Sequence, residues 1–301
     1  MGDKLLTVSD AILRDWLPYQ HQPPRRLYHY TDFGGLDGIL KSQSLWATHL
    51  AYLSDATELV HGRSLVRDEL ERFAAELKGE PGVSFLSRCK QALAIDSSFY
   101  HYFAVCFCTE GDLLSQWKGY SDRGGGFAIG VHGTQLSVAT VDDPSLMLRR
   151  VLYDESAQRG HIRTTLKLTV DCLPALLVGQ TEEKVFPIVL HFLDDHLAEF
   201  YYSFKSSAFS EENEWRLIQA LPLTEVESHL QFREAFGLPV PYVPLTPWAP
   251  AGVNYGKLPV ESVTYGPTLR PELAAKSLTW LLRNRGYHMA DVIGSRIALR
   301  I

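Results

Sequence analysis

Residues 103–108, Phe-Ala-Val-Cys-Phe-Cys, are continuously apolar, short and rich in β-prone side chains. Such a run suits a strand covered on both faces. Residues 127–131 (FAIGV) repeat the pattern after a polar stretch. Shorter strands are read at 27–31 (LYHYT), 45–49 (LWATH), 147–153, 214–221, 262–266 and 295–300. On the first of these, alternation puts Leu27, His29 and Thr31 on one face and Tyr28 and Tyr30 on the other.

Helical spacing fills the gaps. Residues 55–77 repeat apolar side chains at Leu59, Leu65, Val66, Leu70, Phe73 and Leu77. Residues 9–17 read as a helix capped by Ser9, 34–42 as one capped by Thr31 or Asp32, and 271–285 as another. Between 155 and 205 the chain reads as mostly helical, most clearly at 181–204 with Thr181 as cap. No strict βαβ order emerges. The expectation is a single α+β domain over 1–301, with an N-terminal helical segment at 1–24 and a helical insertion at about 155–205.

Composition narrows the function classes. The chain has 301 residues, 46% of them hydrophobic and 21% charged, which is an ordinary core-forming mixture. Lys+Arg minus Asp+Glu is 29 − 35 = −6, so binding by general phosphate neutralisation is not expected, though a local groove for nucleic acid stays open. Four cysteines form no disulfide framework, and Cys106 and Cys108 read as two small apolar side chains on one strand face. No signal peptide or bilayer-length apolar run is read, so the default compartment is a reducing cytoplasm without membrane partners.

Familiar catalytic signatures are missing from the sequence: no serine-hydrolase elbow, Walker loop, dinucleotide GxGxxG, HExxH or CxxC. His191 and His196 flank two aspartates, but a five-residue step on a helix turns them to different faces. The run Arg123-Gly-Gly-Gly126 reads as a phosphate cradle or as a turn entering the next strand. Three segments remain. The first is LYHYTDFGGLDGIL; the second, CFCTEGDLLSQWKGYSDRGGGFAIGV, carries Ser115, Trp117 and Tyr120; the third is SEENEWRLI. In the third, alternation groups Glu212, Glu214 and Arg216 on one face, with Trp215 and Leu217 on the other. Taken singly, His29 reads as a core histidine, the aromatics as packing, and Glu214 with Arg216 as a surface ion pair.

In their order along the chain, Leu27–Leu40, Leu45–Glu58, Phe103–Val131, Glu212–Arg216, Gly266 and Ser295–Arg300 resemble the bacterial domain-of-unknown-function family number 2971. The resemblance covers roughly residues 25–301. Ser54 departs from it, standing where that family often has Asn. The opening HYTDFGGLDGIL is more weakly similar to the start of DNA-targeting ADP-ribosyltransferase toxins, with Gly35 where that group has Asn. Glu212-Asn213-Glu214 is similar to the E-x-E loop of protein-modifying ADP-ribosyltransferases.

This second resemblance implies an ADP-ribosyltransferase-like mixed sheet core using NAD as substrate, with no metal. It implies catalytic Glu214, with Glu212 orienting the acceptor. It also implies His29 and Thr31 on the adenosine-side ribose, Tyr120 or Tyr30 stacking on nicotinamide, and Ser115 and Arg216 among the cofactor-facing residues. Nicotinamide loss passes through an oxocarbenium-like ribose, which a facing carboxylate stabilises more than the ground state. The implied function is transfer to a macromolecular acceptor, nucleic acid or protein, in a bacterial toxin or phage-defence effector with an antitoxin or inhibitor partner. The alternatives are an NAD glycohydrolase and a non-catalytic nucleotide-sensing or protein-interaction module.

Overall fold

A computed structural model describes residues 2–16, 22–53, 57–93, 100–120, 125–141, 143, 145–235, 237–246 and 257–298. The chain divides into two compact units, one comprising 1–21, 53–100 and 151–210, the other 22–52, 101–150 and 211–301. The helical segment expected as an insertion is therefore part of a larger unit built from three stretches of chain.

The helical unit holds α1 (Gly2–Trp16), α3 (Thr57–Glu76), α4 (Gly82–Leu93), α7 (Glu155–Leu176) and α8 (Glu182–Ser203). Helix α1 begins earlier than expected, so Ser9 lies inside it rather than capping it. Asp154 caps α7 by accepting from the Ala157 N–H at 2.7 Å. Thr181 occupies the cap position of α8, but its side chain makes no capping bond to the helix N–H groups. Phe85, Leu86, Ile162, Leu173, Phe186, Leu193 and Phe204 fill the core between the helices. Glu69 is buried there and accepts from Arg72 at 2.8 Å and Arg159 at 2.9 Å, which compensates its lost hydration.

The sheet unit carries α2 (Phe33–Ser42), α5 (Leu114–Tyr120), α6 (Gly133–Ala139), α9 (Val226–His229) and α10 (Pro271–Asn284) around two sheets. The four-stranded sheet orders β1 (Arg26–Thr31), β4 (Phe127–His132), β9 (Val260–Tyr265) and β10 (Asp291–Gly294). Strands β1, β4 and β9 are antiparallel neighbours, and β10 runs parallel to β9. The six-stranded sheet orders β5 (Leu146–Arg150), β6 (Trp215–Pro222), β3 (Tyr100–Phe107), β2 (Leu45–His49), β8 (Leu238–Leu245) and β7 (Gln231–Ala235). This is an α+β architecture. Among the described residues, no helix is long and apolar enough to cross a membrane.

One bridge ties the sheets together. Tyr28 on β1 exchanges two backbone hydrogen bonds of 2.8 Å with Cys108, just beyond β3. Strand β3 is thus the common neighbour of β1, β2 and β6. The alternation read on β1 holds: Leu27 joins the main core with Ile129 and Val131, while Tyr30 joins a small cluster with Cys108, Trp117 and Ala128.

Two parts of the sheet unit differ from the sequence reading. The closing strand is Asp291–Gly294, and 295–298 of the strand expected at 295–300 are irregular, while 299 and 300 lie outside the described residues. The Ser295 N–H still donates to the Tyr265 carbonyl at 2.9 Å, but Ser295 Oγ and the Arg296 N–H turn to Asp112. The β7–β8 hairpin was unread because β8 contains Pro239, Pro241 and Pro244. Pro239 and Pro241 lie where β8 pairs only with β7, and Pro244 where it pairs only with β2. Each proline therefore has a ladder on one side only, where a missing N–H is tolerated.

Candidate functional site

His29 sits one residue past the bridge. Its Nδ1 lies 2.9 Å from the Cys106 carbonyl, which only accepts, so Nδ1 carries the proton and Nε2 offers a lone pair. Burial pushes the His29 pKa down to about 4; the Cys106 hydrogen bond opposes this, and the Arg233 charge adds to it. The ring packs edge-on against Phe107 at 6.0 Å.

Thr31, on the same face, is buried. A Cβ added at Gly35 would stand 1.9 Å from Thr31 Oγ1, so the side chain Thr31 needs glycine in the first turn of α2. The Gly35 N–H donates to Asp32 Oδ1 at 2.7 Å, which makes Asp32 the cap.

Tyr30 is committed elsewhere. Its hydroxyl donates to the Glu110 carbonyl at 2.9 Å and accepts from the Leu113 N–H at 3.0 Å. Its ring meets Trp117 edge-on at 4.8 Å, and burial raises its phenol pKa. Tyr30 is thus core, against the expectation that it stacks on nicotinamide. Trp117 is fully buried and donates from Nε1 to Asp112 Oδ1 at 2.8 Å. Asp112 also accepts from Ser295 Oγ at 2.5 Å and the Arg296 N–H at 2.8 Å, pinning the segment after β10. Tyr120 ends α5, but its side chain lies outside the described residues, as do Arg123 and Gly124 of the glycine run. Ser115 is exposed and donates to Glu211 Oε1 at 2.5 Å, so the acid it meets is neither Glu212 nor Glu214.

Glu212 does not share the strand face expected of it. It ends a 3-10 turn over Ser207–Glu212, and Asn213 follows with φ of 42°, a left-handed conformation that breaks the alternation. Glu214 and Arg216 do share a face. Arg216 Nε donates to Glu214 Oε1 at 2.7 Å and Nη2 donates to Oε2 at 2.9 Å. Their side chains are 1% (Arg216) and 4% (Glu214) exposed, so the expected surface pair is a buried one. Two charges out of water need this bidentate fit, and removing one partner would strand the other.

Sequence reasoning missed Arg233 and Thr48. Arg233 Nη2 donates to Thr48 Oγ1 at 2.9 Å from two strands away. Gln231 and Phe232 beside it are exposed while Arg233 is partly buried, and no local sequence signal marks this, because its partner Thr48 lies 185 residues away. In the helical unit, His191 reaches toward Asp195 at 3.7 Å, while His196 bonds the Phe192 carbonyl at 2.8 Å and Ser9 Oγ at 3.1 Å. Their hydrogen-bond partners differ, but they share one carboxyl: burial raises the Asp195 pKa, and both rings act to lower it.

Fold and site together define an α+β protein with a neutral histidine and a buried carboxylate–guanidinium pair on strands adjoining β3. Residues 116–217 match the family described as "Protein of unknown function (DUF2971)", and the resemblance to that family is shown over this segment, which carries Trp117, Glu214 and Arg216. No curated protein and no solved structure matches the chain.

Proposed function

We propose that the sheet unit has an ADP-ribosyltransferase-like core that cleaves NAD at the nicotinamide–ribose bond and passes ADP-ribose to a macromolecular acceptor. The observation that carries this reading is His29: a neutral imidazole, fixed as the Nδ1–H tautomer, on a strand that shares β3 as neighbour with the strand that Glu214 opens. Its Nε2 accepts a hydrogen bond from a ribose hydroxyl. Arg216 donates to both Glu214 oxygens, a charge-assisted fork that favours the ionised carboxylate. As the C1′–N bond breaks, its electron pair leaves on nicotinamide, and the Glu214 charge opposes the positive ribose. The acceptor oxygen or nitrogen then bonds C1′ and releases its proton, with Glu212 as the orienting carboxylate. Tyr120 remains the proposed ring partner of nicotinamide. No step needs a metal. A toxin or phage-defence setting with an antitoxin partner fits this chemistry.

A second reading is favoured by the depth of the Glu214–Arg216 pair: a structural clamp in a non-catalytic nucleotide-binding module. Incubating the full chain with NAD labelled in its adenine portion and with total lysate separates the two. Label entering protein or nucleic acid supports transfer, and free ADP-ribose alone supports a glycohydrolase. Intact NAD would overturn the enzymatic reading.

A further inference from the structure

Helix α10 packs one side into the core of the sheet unit through Leu278 and Leu282. Its other side is open. Leu273 is 56% exposed and Trp280 60%, and Lys276 and Arg283 are exposed with them. The steps from Leu273 to Lys276, Trp280 and Arg283 are three, four and three residues. The four side chains therefore form one stripe about 15 Å long, opposite the buried leucines. Lys276 holds its ammonium 4.9 Å from the centre of the Trp280 ring. Among the described residues, neither Lys276 nor Arg283 makes an ion pair with a carboxylate.

We infer that this stripe is the docking surface for an acidic amphipathic helix of a partner protein. Spacing of three, four and three residues is the seam that one helix presents to another, here with Leu273 and Trp280 as apolar anchors. Apolar side chains and cations alternate along it. The facing helix therefore sets apolar residues against Leu273 and Trp280, and carboxylates against Lys276 and Arg283. Trp and Arg are also the residue types that contribute most at protein interfaces. Charge decides among the occupants. A second copy of the chain would bring four cations together, with no carboxylate on the stripe to answer them. An extended polyanion such as nucleic acid or an anionic bilayer meets a chain of net charge −6, whose overall field opposes it. A short helix with a few carboxylates needs only the local match. The docking surface uses none of the residues invoked for NAD cleavage and does not rest on that reading.

Fluorescence anisotropy on the full chain tests it with two labelled, alanine-based synthetic helices of three heptads. Both carry leucine at the a positions; one has glutamate and the other lysine at the d positions. The glutamate helix is expected to bind wild type, more weakly as salt rises, and the lysine helix to bind at least about 10-fold less tightly. Trp280→Ala and Lys276→Glu should each weaken the glutamate helix by about 10-fold or more, the scale of an interface anchor. Lys276→Glu should also reverse the preference toward the lysine helix. Both positions are exposed, so these variants keep the fold and the test does not depend on stability. A glutamate helix that fails to bind wild type, or binds both variants equally well, overturns the inference. Binding of a thymidine oligonucleotide or of phosphatidylglycerol vesicles that depends on Trp280, without binding of the helix, overturns it too. So does a dimer in sedimentation that Trp280→Ala dissolves.

Discussion

Arg216 grips both carboxylate oxygens of Glu214, two residues before it, at 2.7 and 2.9 Å, and neither side chain reaches solvent. A surface pair would contribute at most about 1 kcal/mol, whereas stranding one member of a buried pair costs about 3–5 kcal/mol. Arg216→Ala is therefore expected to destabilise the protein severely in urea denaturation. Replacing both residues, as in Glu214→Leu with Arg216→Met, should recover much of that loss. If Glu214 is also catalytic, the double variant stays inactive on NAD despite its recovered fold. Equal and mild effects from both single changes would mean that the pair is not buried in solution.

Tyr30 and Trp117 give a second test. Trp117→Ala is expected to cost about 3–5 kcal/mol, because a large buried ring leaves a cavity. Tyr30→Phe keeps the ring but leaves the Leu113 N–H without its acceptor, for about 1–3 kcal/mol. Both losses should appear in denaturation midpoints, and Tyr30→Phe should leave nucleotide affinity unchanged. A Tyr30→Phe protein of normal stability but weakened NAD binding would return Tyr30 to the site.

What could be read ahead of the structure follows from which forces are local. The strand at 27–31, the Asp32 cap and the apolar run of β3 depend on neighbours within a few residues, and all formed where expected. The cap at Ser9 did not, because α1 starts seven residues earlier. Alternation failed between Glu212 and Glu214 because one left-handed Asn213 intervenes, and side-chain periodicity cannot register a single φ. It did group Glu214 with Arg216, but burial of that pair depends on the tertiary packing around β6. Prolines masked β8 because their tolerance depends on where two other strands end. Arg233 was illegible for the same reason, since its partner Thr48 lies 185 residues away.

The contact between Thr31 and Gly35 makes a third expectation. Gly35→Ala places a methyl 1.9 Å from Thr31 Oγ1 and 3.2 Å from Thr31 Cβ, so one of them must shift. Overpacking of this kind costs about 1–3 kcal/mol. The same change in a Thr31→Ala background removes the nearest atom and should cost less. A double-mutant cycle on thermal stability reads the coupling directly. Additive effects would show that the two side chains do not compete for space.

The last expectation concerns acid. Burial lowers the His29 pKa from the usual 6.5 to about 4, and His49 is lowered to about 4 by burial and the neighbouring His101. Both are thus neutral in the folded protein at pH 6, where the unfolded chain has begun to take up protons. Because the unfolded state binds more protons between about 4 and 6.5, stability falls as pH falls across that window and is flat above it. Each histidine contributes a slope of up to about 1.4 kcal/mol per pH unit there. Urea midpoints at a series of pH values should decline accordingly, on top of any contribution from carboxylates. His29→Gln should remove one histidine's share of the slope. Nitrogen-edited spectra assign the tautomer independently: His29 should hold its proton on Nδ1 down to about pH 5. A His29 that titrates near 6.5 would contradict both its burial and the neutral acceptor role proposed for its Nε2.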